Sequence, residues 1–562
     1  MCGIYCSVSF GSHVHSSRET QELLKARGPD SLQELSISLN IPNPRPLETD
    51  QVNVHVLSTV LALRGDHIES QPLKDEHSQS FLCWNGEAWK MNGQVVSGND
   101  SQQVLDLLLR ACRSTPVPSK EHVLDTLTSI AGPFAFVFYH AKPRVLYYGR
   151  DHLGRRSLLL QTIASSGMAF CSVTDRPLSP GWKEVETGGV HCIDLSTTFG
   201  TPEFISWPNV FPRINGTLPD GQASALGISS QVIFELEIHL RESLRIRVAD
   251  IPSLGLARTK RTSEDANVAV LFSGGLDCTL LARLAHELLP LDEPIDLLNV
   301  AFENPRSTAA ATQIDPAASA CESCPDRKTG RSSLLELSRV CVGREWRFVA
   351  IDVPYKESES HHRNIVGLMA PHNTEMDLSI SKALYFAARG HGKVTDLQAC
   401  ENRPYSTRAR VLLSGLGADE LFGGYTRHAT AFARQGYQGL INELDIDVQR
   451  LGQRNLGRDD RVMSHWAKEV RYPYLDEDFM KWTLQLPVWE KCGFAPNRPV
   501  STTDSHNFQS IPDPAKQALR LLARRMGMER VATERKRAIQ FGARTAKMQI
   551  GKGRKKGTDL IN

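Results

Sequence analysis

Three stretches of the sequence carry residue types that could do chemistry. The chain opens MCGIYCSVSF, with Cys2 directly behind Met1 and a β-like apolar run after it. If Met1 is removed, Cys2 carries a free α-amine beside its own thiol. Such an amine titrates at about 7.7–8.0, so it can take the thiol proton near neutral pH without a histidine. Any residue can follow a methionine, so Cys2 reads as a nucleophile only with partners elsewhere. The second stretch is VAVLFSGGLDCTLLARLAHEL, where an apolar strand (Val268 to Phe272) runs into Ser273-Gly274-Gly275 and a helix begins near Asp277. The glycines let the backbone approach an anion closely; the serine hydroxyl, the loop N–H groups and the helix N-terminus then point at it. Asp277 sits where it could hold Mg²⁺ against a pyrophosphate. The spacing is not that of a Walker loop, and the lysine of that loop is missing. The third stretch, RVLLSGLGADELFGGYTRH, repeats the pattern: Val411 to Leu413, then Ser414-Gly415, then Asp419 and Glu420. Ligands of an open parallel sheet bind beyond the carboxyl ends of its strands, so two such ends could close around one nucleotide.

Other candidates are weaker. Cys321-Glu322-Ser323-Cys324 is a single CxxC with no second pair nearby, a weak zinc signal even if Cys341, His361 or His362 were recruited; a loop with free thiols is the plainer reading. Ser12-His13-Val14-His15 reads as a solvated turn, and Cys6 as a buried thiol at strand spacing. The tail Lys552 to Gly557 is basic and glycine-rich and reads as a solvated, flexible end, with an RNA contact as the alternative. No other feature points to nucleic acid.

Positioning these residues needs more than one domain, because 562 residues exceed one ordinary core. A hydrophobic share of 41% and a formal charge of +2 are ordinary for a globular chain and name no partner. No apolar run is long enough for a membrane span, and no secretory signal pattern is present. Twelve scattered cysteines suit a reducing compartment, so a cytoplasmic location is expected and the sequon at Asn215 carries no meaning. Residues 2–207 alternate short apolar runs with Gly, Pro and Asn turns, an α+β layered pattern with few helices, Gln102 to Arg113 the clearest. Residues 208–229, rich in Pro, Gly, Asn and Ser, read as a linker. Over 230–546 apolar strands alternate with helices, which argues for an α/β unit with a parallel sheet; Asn304 to Lys328 interrupts it as a long loop. Residues 547–562 form the basic tail. Oligomeric state stays open, a homodimer included.

The motifs together resemble the glutamine-hydrolysing asparagine synthetase family, and a divergent branch of it more than the housekeeping enzymes. MCGI, ARGPD (Ala26 to Asp30), LRGDHIESQPL, WNGEAW, SGND and GRDHLGRRSL are similar to the amidotransferase half; SGGLD, DLLNVAF, PDRKTG, SGLGADELFGGY and VRYPYLD to the synthetase half. The resemblance implies an Ntn-type layered sandwich followed by an ATP-pyrophosphatase domain of the adenine nucleotide α-hydrolase type. It implies Cys2 as nucleophile, Asn85 and the Gly86 N–H as oxyanion hole, and Arg64, Glu87 and Asp100 around the glutamine. It further implies that Ser273, Gly274, Gly275, Asp277 and Cys278 hold the pyrophosphate of ATP, that Leu271, Val300, Ser414 and Gly415 line the adenosine side, and that Asp277 and Asp419 serve Mg²⁺. Glutamine, ATP and aspartate are the implied substrates, asparagine the product. Two departures stand out. Leu416 replaces a glutamate the family uses as a base during ammonia attack, and a leucine takes no proton. Cys278 replaces a serine and donates a weaker hydrogen bond. The family's basic residue near the C-terminus falls at Lys536 or Arg537. Leu416 therefore leaves open a different carboxylate acceptor, or a regulatory protein that binds nucleotide or glutamine without turnover.

Overall fold

The computed structural model describes residues 2–42, 49–113, 120–163, 167–174, 181–196, 202–208, 211–221, 226–252, 265–306, 320–396, 401–495, 513–548 and 556–561. Two six-stranded antiparallel sheets build the first half. The first runs, in spatial order, Lys183–Glu184, Leu159–Ile163, Gly167–Cys171, Gly3–Phe10, Thr49–Val60, Ser31–Pro42; the second runs Glu203–Ser206, Gly189–Asp194, Val145–Arg150, Phe134–His140, Phe81–Gly86, Leu73–Lys74. Strand alternation explains their stacking. Ile4, Cys6 and Val8 point inward and meet Phe81, Cys83, Val137 and Tyr148 of the second sheet in one core, which places Cys6 as expected. The opposite faces take helices. Trp84, Phe136 and Phe138 pack on Val104, Leu105 and Leu108 of helix Asp100–Arg113, and Tyr5 and Leu57 on Leu24 of helix Arg18–Arg27. The result is the helix–sheet–sheet–helix layering expected from the α+β pattern.

The second half carries a seven-stranded sheet in the order Glu401–Ser406, His391–Asp396, Trp346–Val353, Ile295–Phe302, Val268–Leu271, Val411–Leu413, Glu469–Arg471. The last five are parallel and the first two form an antiparallel hairpin at one edge. Every residue of Ile295–Phe302 is buried, as a parallel strand covered by helices on both faces requires. Sequence reading finds the four apolar strands. It misses the hairpin, which carries Gly, Lys, Asp, Asn and Arg, and Glu469–Arg471, whose two charges disguise a buried strand.

Three expectations need correction. Part of the stretch read as linker is docked: Asn215 N–H donates to the Leu484 carbonyl at 2.8 Å and its side chain to Gln485 at 2.7 Å. The stretch read as a loop to Lys328 ends earlier, because helix Pro325–Val340 begins at a proline whose missing N–H is harmless in the first turn. The tail is not a free end throughout. The Glu375 and Met376 N–H groups donate to the carbonyls of Asp559 and Gly557, both at 2.9 Å, and the Ile561 N–H to that of Asn373 at 2.8 Å. Lys552 to Lys555 lie outside the described residues. No helix among the described residues is long and apolar enough to cross a membrane.

Buried charges lock the halves together. Arg155 donates to the Leu475 carbonyl at 2.8 Å and to Glu477 at 2.5 Å. Arg27 reaches Asp460 at 2.9 Å, Arg461 reaches Glu184 at 2.7 Å, and Arg410 grips Asp30 at 2.6 and 3.0 Å. Sliding one half over the other would strand these charges without partners, at about 3–5 kcal/mol for each broken pair.

Candidate active site

The first centre forms where strands Gly3–Phe10 and Phe81–Gly86 bring their functional ends together. The Cys2 N–H donates to Asn85 Oδ1 at 3.1 Å, while Asn85 Nδ2, fully buried, has no partner among the described residues. A buried amide donor without an acceptor is costly, and one beside a thiol suits an oxygen that arrives with a substrate. A Cβ on Gly86 would stand 2.6 Å from the Pro133 carbonyl, so only glycine fits there. Burial pushes the Cys2 thiol up. Gln71 Nε2 stands 4.0 Å from Cys2 Sγ, and Gln71 Oε1 accepts from the Trp84 N–H at 2.6 Å. Sequence reasoning passed over Gln71 as a site residue, although it lies within the LRGDHIESQPL stretch.

Arg64 and Asp100 flank this centre. Arg64 donates to the carbonyls of Gly98 at 3.1 Å, Ala88 at 3.0 Å and Val96, which leaves two of its five N–H groups for a ligand. Asp100 Oδ2 accepts from the Ala88 N–H at 2.7 Å and the Trp84 indole at 3.2 Å, and burial raises its pKa. Glu87 lies between Arg64 at 3.6 Å and Arg471 at 3.5 Å. Burial and the neighbouring Glu469 still raise it to about 8. Arg471 comes from the second half: its Nε holds Glu469 at 2.7 Å and its carbonyl accepts from the Ser414 N–H at 3.0 Å. One short strand thus touches both the glutamate beside Arg64 and the second glycine loop. The guanidinium groups of Arg64, Arg247 and Arg471 also surround the Trp89 ring at 5.5, 5.4 and 4.7 Å.

The second centre is a cavity of about 620 Å³ at the carboxyl ends of strands Val268–Leu271 and Val411–Leu413. Leu271, Ser273, Gly275, Asp277, Cys278, Val300, Ser414, Gly415, Leu416, Asp419, Lys536 and Arg537 all line it. Gly274 does not; it lies behind the loop at φ +80°, where a Cβ would stand 2.5 Å from the Gly330 backbone. Cys278 Sγ donates to the Gly275 carbonyl at 3.4 Å, and its thiol pKa is raised by burial, so it braces the loop. Helix Leu276–Leu288 has no side-chain cap at Gly275, and Gly275, Asp277 and Cys278 of its start line the cavity; an uncapped helix start is a place an anion can bind.

Lys516, which sequence reasoning passed over, joins the two loops. Its Nζ stands 2.6 Å from Asp277 Oδ2 and 2.7 Å from Asp419 Oδ1. The carboxylates raise its pKa, and Lys516 in turn lowers that of Asp419 against the effect of burial. Its backbone takes φ +59°, a left-handed conformation that costs a non-glycine residue about 1 kcal/mol or more and that concentrates at functional sites. Asp277 Oδ1 has no hydrogen-bond partner among the described residues, so the paired carboxylates with this oxygen fit an oxygen-liganded Mg²⁺ that also takes phosphate oxygens. Lys536 approaches Asp419 at 3.4 Å and caps the Tyr425 ring at 4.0 Å, whereas Arg537 turns to Asp326 at 3.5 Å. Burial raises Asp326 to about 7 despite that arginine. The thiols of Cys321 and Cys324 point at backbone carbonyls, and among the described residues no third ligand joins them.

A layered half bearing buried Cys2 near its start, joined to a parallel sheet with two glycine loops at adjacent strand ends, defines an asparagine synthetase-like protein. The asparagine synthase family model matches residues 403–443 and 434–561. Asparagine synthetase domain-containing protein 1 of Mus musculus is 34% identical over 100% of this chain and 99% of its own length; that of Homo sapiens is 32% identical over 98% and 96%. A Saccharomyces cerevisiae relative, asparagine synthetase domain-containing protein YML096W, is 33% identical over 90% and 86%. The chain belongs to this family of asparagine synthetase domain-containing proteins. Among solved structures, a glutamine phosphoribosylpyrophosphate amidotransferase of B. subtilis covers 53% of the chain and 66% of its own at 13% identity, with a TM-score of 0.24, too distant to carry an argument.

Proposed function

We propose that the chain is a glutamine-dependent, AMP-forming amide ligase that converts aspartate, glutamine and ATP to asparagine, glutamate, AMP and pyrophosphate. The observation that carries this reading is the cavity lined by Asp277 and Asp419 of the two glycine loops, whose carboxylates Lys516 from a third segment bridges. In the first half, Cys2 freed of Met1 attacks the glutamine amide carbon, its proton passing to the α-amine. Asn85 Nδ2 and the Gly86 N–H take the oxyanion, Arg64 takes the substrate carboxylate with its two remaining donors, and Asp100 with Glu87 receives the substrate amine. Ammonia leaves, and water releases glutamate from the thioester. In the second half, Ser273, Gly275 and the helix N-terminus cradle the β- and γ-phosphates, and Lys516 and Lys536 neutralise them. Mg²⁺, held by Asp277 and Asp419, supplies charge neutralisation on the pyrophosphate. Leu271, Val300, Ser414 and Gly415 flank the adenosine. The aspartate β-carboxylate attacks the α-phosphorus, pyrophosphate departs, and ammonia displaces AMP from the acyl adenylate.

Leu416 lines the cavity where the family places a glutamate, so another group must take the proton from the attacking ammonia. Asp326 lines the same cavity and burial raises it to about 7, which suits it to that task. The same substitution motivates a second reading, the same adenylation with another carboxylate acceptor. The test is AMP formation by full-length protein lacking Met1, given Mg-ATP and glutamine, with and without aspartate. Aspartate-dependent AMP with equal asparagine supports the first reading; AMP formation that responds to another carboxylate supports the second. Tight ATP binding with no pyrophosphate release from any acceptor would overturn both.

A further inference from the structure

His13 and His15 read in sequence as a solvated turn; His15 is exposed as that reading expects, but the segment is tied down to the sheet. The Tyr5 and Ser7 hydroxyls both donate to the Val14 carbonyl, at 3.3 and 2.6 Å, and strap the segment across the outer face of the first sheet. This lays the His15 ring edge-on against His55, with ring centroids 4.3 Å apart. His55 lies on strand Thr49–Val60 opposite Ser36 of strand Ser31–Pro42. Glu34 precedes Ser36 by two positions, so strand alternation puts it on the same face as His55.

His55 is 1% exposed. Its Nδ1 pairs with Ser36 Oγ at 2.9 Å, and its Nε2 has no partner among the described residues. Leaving such a buried nitrogen unsatisfied costs about 1–3 kcal/mol. Donation from Nδ1–H to Ser36 would fix the tautomer that turns a lone pair outward at Nε2, the arrangement found behind histidine metal ligands. One ligand atom each from His15, Glu34 and His55 lie within 4.8 Å of one another. A tetrahedral zinc set with bonds of about 2.0–2.1 Å needs its ligand atoms about 3.4 Å apart. Rotamer changes of the two exposed side chains, His15 and Glu34, close that gap while buried His55 stays fixed.

We propose that His15, His55 and Glu34 form a binding site for a divalent transition metal of the zinc class, with water in the fourth position. Two imidazoles and a carboxylate are a donor set suited to zinc and poor for calcium or magnesium. The site is separate from both centres described above. It clamps the loop at His15 onto two strands, one of which, Thr49–Val60, pairs with strand Gly3–Phe10, which follows Cys2.

The test uses full-length protein stripped with a chelator, reloaded with Zn²⁺ and desalted. One equivalent of zinc is expected to remain, with the thermal midpoint raised by the metal. H15A and E34Q alter exposed side chains and should keep the fold, checked by circular dichroism. Both should weaken zinc binding at least about tenfold in chelator competition and lose the thermal shift. Cobalt substitution should give tetrahedral visible bands without thiolate charge transfer, which separates this site from the cysteines. Retention of no zinc, wild-type affinity in both variants, or loss of the metal in C321S/C324S but not in H15A would each overturn the proposal.

Discussion

Replacing Lys516 by methionine removes the one ammonium that stands between Asp277 and Asp419. Its Nζ is 2.6 and 2.7 Å from their oxygens, and the lysine side chain is 4% exposed while the carboxylates are 23% and 21% exposed. Breaking a buried pair by deleting one partner costs about 3–5 kcal/mol; because the carboxylates keep some water, the low end, about 3 kcal/mol, applies. For a half of about 300 residues the unfolding entropy is about 0.63 kcal/mol/K at 2.1 cal/mol/K per residue, so the midpoint should fall by about 5 °C. The loss must depend on pH. Lys516 lowers the folded pKa of Asp419, a contribution present above the unfolded carboxylate value and lost as pH falls through the folded one. In K516M Asp419 instead rises, Asp277, already raised by burial, rises further, and both resist ionisation as pH climbs. The gap between variant and wild type should therefore be widest at pH 7–9 and shrink towards pH 4. Added Mg²⁺ should raise the variant's midpoint more than the wild type's, since the metal replaces the missing charge. Differential scanning fluorimetry over a pH series, with and without Mg²⁺, reads all of this. A gap independent of pH, or equal Mg²⁺ stabilisation of both proteins, would refute the reasoning.

Other substitutions follow from the same geometry. Asn85→Ala removes the orphaned donor beside Cys2 and should lower the glutaminase kcat about 10²–10³-fold, with ammonia-dependent synthesis retained. Gly274→Ala puts a methyl 2.5 Å from the Gly330 backbone at φ +80°; nucleotide binding, followed by equilibrium dialysis, should be lost before the first half's glutaminase activity is. Glu87 has a folded pKa raised to about 8, so the folded state binds its proton more tightly than the unfolded chain. Stability falls as pH rises from the unfolded value towards 8, and Glu87→Gln should flatten that slope in a thermal-midpoint profile.

How much was legible differs between the two centres. Ser273-Gly274-Gly275 and Ser414-Gly415 could be read as anion loops because their glycines, the apolar strand before each and the acid after each all lie within one short stretch. Local sequence determines a strand, a turn and a helix start, and those alone build an anion cradle. Asn85-Gly86, at the end of the apolar strand Phe81–Gly86, was marked only by the family resemblance, because nothing in that short stretch by itself points to an oxyanion. Lys516 could not be found this way. Its stretch, DPAKQALRLL, announces a helix, and its partners stand 239 and 97 positions away. Arg471 and Glu469 were hidden for a related reason: charges in a three-residue strand look exposed until the other half of the protein covers them.

The sequence by itself determined the alternation of apolar residues, the glycine turns and the helix starts, and with them the layered first half, the parallel second half and the chemistry of each loop. These are local properties, set by backbone sterics and by the periods of strand and helix. Only the tertiary structure decided which charges are paired. It set Lys516 between two aspartates, Arg471 between Glu87 and Glu469, and His15 against a buried His55, because ion pairing and burial depend on distances that chain order does not encode.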